Sequence, residues 1–173
     1  VEYFLGNERF KPHPLQLKYS RKIKGFLPEM ENVNRVLIQQ LSFKNTEVFP
    51  NFRRFRPVQV NTTVHNELKM VFMARINKTK GYNSIFLALD KLKNLSENVS
   101  MTFYGQVAEE NKAEFDSLIK AHSDFASFKG ALKPEEIQQT LTQYDVMLLP
   151  TQYYTEGFPG SILDAYIAGI PVI

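Results

Sequence analysis

The carboxyl-terminal stretch reads Val146-Met147-Leu148-Leu149-Pro150-Thr151-Gln152-Tyr153-Tyr154-Thr155-Glu156-Gly157-Phe158-Pro159-Gly160-Ser161-Ile162-Leu163-Asp164-Ala165-Tyr166-Ile167-Ala168-Gly169-Ile170-Pro171-Val172-Ile173. Val146–Pro150 is an apolar strand, Ser161–Ala168 has the make-up of a helix, and Pro171-Val172-Ile173 starts a further strand. A glycine-punctuated turn lies between the strand and the helix, and two acids, Glu156 and Asp164, stand across it. Such a turn brings carboxylates and unpaired backbone N–H groups to the carboxyl end of a strand, where open α/β sheets take their ligands. Gly157 and Gly160 let the backbone come close to a bound group, and N–H groups at a helix start face anions. Carboxylates accept hydrogen bonds from hydroxyls, so the segment suits a polyhydroxylated, phosphorylated ligand. On spacing alone, a loop acid at Glu156 and a helix-decorating acid at Asp164 remain an equal alternative.

The same alternation extends back to Leu68. Lys69–Ala74, Val99–Tyr104 and Phe125–Phe128 read as strands. Ser84–Leu92, Asn111–His122 and Pro134–Tyr144 read as helices, the last with Pro134 in its first turn and Glu135 and Glu136 at its positive end. Strands and helices alternating at this pitch predict an α/β architecture: a parallel sheet with helices on both faces. Upstream, Glu31–Leu41 carries Val33, Val36, Leu37 and Leu41 at helical spacing. Ile23–Leu27 and Glu47–Phe49 look extended, and 50–57 is a linker bracketed by prolines. The predicted division is 1–56, a remnant of a preceding domain with its linker, and 57–173, an incomplete ligand-binding domain. The unfinished last strand predicts a fragment of a longer protein.

Composition narrows the chemistry. The 173 residues include no cysteine, which excludes disulfides, thiolate zinc sites and a cysteine nucleophile. The three histidines are scattered, so no metal site is expected. No run is long and apolar enough to span a bilayer. Residues 1–60 hold 11 Lys/Arg against 5 Asp/Glu. That imbalance is read as a solvated face, with an anionic membrane surface or a phosphorylated ligand as the alternatives. Nucleic acid is not expected, because no nucleic-acid-binding motif accompanies the charge.

Two further turns bear on the ligand. Arg75 stands at the end of the first strand of the alternating region, and Lys80 precedes Gly81 ahead of the next helix. Two cations beside helix-terminal N–H groups make a diphosphate site, against a basic surface loop as the simpler reading. Neither a Walker loop nor a G-x-G-x-x-G is present. Gly105, after the second strand, and Ala131-Leu132, after the third, can line the same crevice, the latter framing a base. Simple β-to-α turns remain an alternative for both.

Taken together, these motifs resemble the nucleotide-sugar-binding half of glycosyltransferase family 4, retaining enzymes of the GT-B fold. The resemblance runs from about Arg21 to Ile173. It is most specific at Tyr144–Pro150, Glu156–Gly160 and Ala168–Ile173, with Val71–Arg75 and Lys80-Gly81 similar to the family's diphosphate turn and Val48–Arg53 to its interdomain segment. It implies a Rossmann-like domain and a UDP- or GDP-sugar donor, with no other cofactor and no metal. The implied acceptor is a glycan or lipid-linked molecule, in bacterial surface polysaccharide synthesis at the cytoplasmic side, with peripheral contact to an anionic membrane. It further implies that Arg75 and Lys80 neutralise the diphosphate, Glu156 meets the donor sugar, and Gly157, Phe158 and Gly160 line sugar and phosphate. Asp164 would hold the ribose, where the family usually has the longer glutamate. The alternatives are a nucleotide-sugar epimerase of the same fold, or a non-catalytic α/β interaction domain. The latter expects acids, not Arg75, after the first strand.

Overall fold

A computed structural model describes residues 18–19, 22–60, 66–95, 97–152 and 157–173. The chain divides into two compact units, Val1–Phe52 with Tyr153–Gly160, and Arg53–Gln152 with Ser161–Ile173.

In the first unit, helix α1 (Glu31–Leu41) matches its predicted span. Val33 and Leu37 are buried on one face, packed by Phe26, Met30, Val36, Leu41 and Phe43. The Phe26 and Phe43 rings meet edge to face at 5.1 Å. The helix ends at Ser42, whose φ of 55° is left-handed, and the Phe43 N–H returns to the Leu37 carbonyl at 3.1 Å. The strand predicted at Ile23–Leu27 is reduced to one parallel bridge, Phe26 to Thr46.

The second unit is built on four parallel strands: β1 (Leu68–Met73), β2 (Val99–Tyr104), β3 (Ala126–Phe128) and β4 (Val146–Met147). They lie in the order β3-β2-β1-β4, flanked by α2 (Tyr82–Asn94), α3 (Lys112–Ala121), α4 (Ile137–Leu141) and α5 (Gly160–Ile167). Met70–Met73 are all buried, as a strand covered on both faces requires. Phe103 stacks on Phe86 at 5.0 Å and meets Phe115 edge-on at 5.5 Å, so the centre is an aromatic cluster. The buried His122 belongs to this scaffold: Nδ1 lies 2.8 Å from the Leu118 carbonyl and Nε2 2.9 Å from Asp90.

Several elements are shorter than their sequences predict. Only Ile137–Leu141 of the 134–144 segment is α-helical. Ahead of it, the Lys133 N–H donates to the Glu136 carboxylate, making a local turn; behind it, the Thr142 hydroxyl donates to the Gln139 carbonyl. A hydroxyl bonded back to a carbonyl, as at Thr142, competes with the helical ladder. Strand β4 stops at Met147 instead of Pro150, although Leu148 N–H still donates to Val71 and Leu149 N–H to Ile173. The Phe125 strand begins one residue later, at Ala126, and Val172 adds only a parallel bridge to Met147. Helix α2 starts earlier than predicted, at Tyr82, because Gly81 takes the left-handed turn before it.

Candidate functional site

The chain passes from β1 to β2 to β3 in one direction, then returns to place β4 on the other side of β1. This reversal makes the carboxyl end of β1 a switch point, the position where open parallel sheets form a ligand crevice. A cavity of about 200 Å³ lies there. Met73 and Ala74 line it from the end of β1, Tyr104 and Gly105 from the end of β2, and Ala131 and Leu132 from the turn after β3. Ile137 of α4, Ser161 and Asp164 of α5, and Arg53 complete the wall. The structure thus brings the predicted residues Gly105, Ala131, Leu132 and Asp164 around one space.

Gly105 is required by geometry. Its φ is +140°, and a Cβ there would overlap the Ala74 carbonyl oxygen. The tight approach holds the ends of β1 and β2 together under the cavity. Tyr104 donates or accepts one hydroxyl bond with Tyr144 at 3.1 Å; burial, reinforced by that bond, pushes its phenol well above the usual range. Tyr104 is therefore a neutral wall of the cavity.

Asp164 is 5% exposed, and both its carboxylate oxygens have partners. Arg53 Nε donates to Oδ2 at 2.9 Å, and Gln138 Nε2 donates to Oδ1 at 3.0 Å. Gln138, itself 2% exposed, also donates to the Arg54 carbonyl and accepts from the Arg56 N–H through Oε1. The sequence placed Asp164 on the helix correctly but gave no sign of these partners. Arg53 sat in a basic linker, and Gln138 in an amphipathic segment where a glutamine carries no signature.

The two predicted cations stand on the loop after β1. Arg75 is exposed and lines a polar depression of about 340 Å³ with Asn77, Gln106, Ala108 and Glu109. It begins one residue beyond the first cavity on both loops, at Arg75 after Ala74 and Gln106 after Gly105. Lys80 is partly buried; burial, and then the positive charge of Arg75, hold its ammonium below the ordinary lysine value. A braced loop holds the two cations in place. Asn77 Oδ1 accepts from the Lys80 N–H at 3.0 Å, and the Thr79 carbonyl accepts from the Gln152 N–H at 2.8 Å, just past β4. Gly81, with φ +81°, packs so closely on Pro150 that a Cβ would overlap its carbonyl oxygen. Lys78 pairs with Glu114 at 2.7 Å and anchors the same loop to α3.

The remaining predicted residues fall elsewhere. Glu156 lies outside the described residues. Gly157 and Phe158 belong to the first unit, where the Phe158 carbonyl accepts from Asn51 Nδ2 at 3.0 Å and a Cβ on Gly157 would meet the Glu29 carboxylate. Gly160 opens α5. Among the described residues no group of His, Cys, Asp or Glu is arranged to hold a metal ion, and no helix is long and apolar enough to cross a membrane.

Residues 55–173 match the family described as glycosyl transferases group 1, and the chain belongs to that family. Its fold is that of the GT-B glycosyltransferases. Three solved structures illustrate the likeness. S. aureus TarM, solved with UDP, fondaparinux and α-GlcNAc-glycerol, superposes with a TM-score of 0.75 at 18% identity, over 96% of this chain and 33% of its own. The pneumococcal O-GlcNAc transferase GtfA, solved with UDP and GlcNAc, gives 0.73 at 19% identity, over 92% and 31%. Anabaena HepE, solved with UDP and glucose, gives 0.72 at 17% identity, over 99% and 50%. The chain thus spans from about a third to a half of these proteins. No curated protein sequence matches it.

Proposed function

We propose that this chain is the donor-binding part of a retaining glycosyltransferase of family 4, which transfers a sugar from UDP- or GDP-sugar to a glycan or lipid-linked acceptor. The observation that carries the reading is the pairing of two charge patterns at one sheet edge. Arg75 and Lys80 follow β1, while Asp164 and the turns at Gly105 and Ala131-Leu132 surround the adjoining cavity. A nucleoside diphosphate has matching parts: an anionic diphosphate, a diol-bearing ribose and a flat base. The relatives solved with UDP support the same assignment.

In this reading the base lies against Leu132 and the backbone of Ala131, and Asp164 accepts from the ribose hydroxyls. Arg75 and Lys80 neutralise the diphosphate. As the glycosidic bond breaks, negative charge grows on the leaving phosphate, and fixed cations stabilise that charge more than the ground state. The N–H groups at the start of α5, next to Ser161, have no intrahelical partner and add to the same field. Glu156 meets the donor sugar, beside Gly157, Phe158 and Gly160. These groups do by fixed charge what a divalent cation does in other transferases, so the reading needs no metal and no cofactor besides the donor. Surface polysaccharide synthesis at the cytoplasmic membrane face, with the basic region 1–60 against anionic lipid, completes the proposal.

The test is a thermal-shift series with UDP and GDP on the intact protein. A rise in Tm that saturates with one nucleotide is expected; no shift at millimolar concentration of either refutes the donor reading. The donor-binding part is not expected to transfer sugar by itself; retention is tested on the product of a whole transferase that contains it, whose anomeric configuration should equal that of the donor, and inversion refutes it.

A further inference from the structure

We propose that Arg53 and Gln138 are positioning residues for the ribose, holding the Asp164 carboxylate so that one acceptor position on each oxygen faces a vicinal diol. The proposal rests on the donor reading and adds to it the residues that make a short aspartate work.

A carboxylate offers about four acceptor positions, two per oxygen. Arg53 Nε takes one on Oδ2 and Gln138 Nε2 takes one on Oδ1. One position therefore remains on each oxygen, as a pair of adjacent hydroxyls requires. Both protein donors come from outside α5, so they fix the rotation of the carboxylate about its own bond, which the helix alone does not. An aspartate has one methylene less than a glutamate and correspondingly less freedom to find a diol by itself; its orientation must be imposed.

Both donors are themselves held. Gln138 is buried, and its amide is read from two sides: Nε2 donates to the Arg54 carbonyl at 3.0 Å and Oε1 accepts from the Arg56 N–H at 3.1 Å. This settles which end of the amide faces Asp164, since only the NH₂ end can donate to Oδ1. The backbone around Arg53 is tied down further along. Arg56 Nη1 donates to the Pro134 carbonyl at 2.8 Å, and the Gln59 N–H donates to Gln139 Oε1 at 3.2 Å. The segment 53–59 is thus strapped to α4 and the turn before it, and it delivers Arg53 to the cavity wall. In this way the stretch ahead of β1 becomes part of the nucleoside site.

The experiment compares affinities of the intact protein for UDP and for its deoxyribose counterpart dUDP, with inorganic pyrophosphate as the control, by isothermal titration. The wild type is expected to prefer UDP by about tenfold, equivalent to ~1.4 kcal/mol. Gln138→Leu and Arg53→Met should bring that ratio close to one while pyrophosphate affinity stays within about twofold. Arg53→Lys, which keeps a donor, should restore most of the preference. A variant that binds pyrophosphate like the wild type and keeps the full preference for UDP overturns the proposal. So does a wild type with no such preference. A wild type that binds neither nucleotide nor pyrophosphate overturns the donor reading along with it. If Gln138→Leu does not fold, Arg53→Met carries the test, because the Arg53 side chain is 36% exposed.

Discussion

Removing the Asp164 carboxylate while leaving its helix intact should cost stability as well as binding, by an amount the geometry fixes. Asp164→Ala deletes a charge-assisted bond to Arg53 at 2.9 Å and a bond to Gln138 at 3.0 Å. A hydrogen bond to a charged group contributes about 1.5–3 kcal/mol, and a buried donor left without an acceptor costs about 1–3 kcal/mol. The sum overstates the loss for two reasons. The Arg53 side chain is 36% exposed and can rehydrate, and Gln138 Nε2 keeps its bond to the Arg54 carbonyl. A net loss of about 2–4 kcal/mol follows, which for a chain of this size lowers Tm by roughly 4–16 °C. The assay is urea denaturation of Asp164→Ala, Arg53→Ala and the double variant. Because the two side chains share one bond, their losses should not add; a coupling of about 1–2 kcal/mol is expected. A single Asp164→Ala loss below about 0.5 kcal/mol, or additive losses, would refute the ion pair as a structural element.

Other perturbations test the frame around the site. Gly105→Ala forces a side chain into a glycine-only conformation against the Ala74 carbonyl; a loss of about 1–3 kcal/mol is expected in the denaturation midpoint, and an unchanged midpoint contradicts the tight approach. Lys80 has a lowered pKa, so in alkali the folded chain releases this proton before the unfolded chain does, and stability from this group rises with pH across that window. Diphosphate affinity should fall over the same window as the cation is lost, and Lys80→Arg should abolish that fall; identical pH profiles contradict the assignment. Burial, with Glu114 beside it, pushes the Tyr82 phenol up to about 12. Stability should therefore decline between about pH 10 and 12 as the unfolded chain loses this proton first, and Tyr82→Phe should flatten the decline; an unchanged slope counts against it.

Much of this architecture is legible in the sequence, for physical reasons. Met70–Met73 form an unbroken apolar run, as a strand covered on both faces does, and glycines at 81, 105 and 130 mark where strands turn into helices. Cations and acids at the ends of such strands are visible as residue types at fixed positions. What the sequence hides is pairing at long range. Arg53 and Asp164 are 111 positions apart, and nothing near either one announces the other. Gln138 reads as an ordinary helix-surface residue until its burial is seen, because a glutamine that recognises backbone has the same pattern as one that faces water. The short α4 was also unreadable. Behind it the Thr142 hydroxyl donates back to the Gln139 carbonyl, whereas ahead of it Pro134 and the two glutamates favour a longer helix. Asp164, judged by spacing, was an open acid on a helix; in the fold it is a buried member of a network, and its capacity for a diol depends on neighbours from two other segments.

In the proposed site, Arg75 and Lys80 hold the diphosphate of a sugar donor at the carboxyl end of β1. The most direct test of this assignment is isothermal titration of a UDP- or GDP-sugar into the intact protein and into Arg75→Ala. Saturable binding is expected, weakened by about tenfold or more in the variant, the effect of one charge-assisted contact of ~1.5–3 kcal/mol, with the same loss for inorganic pyrophosphate. Equal affinities for wild type and variant, or no binding by either, would contradict it.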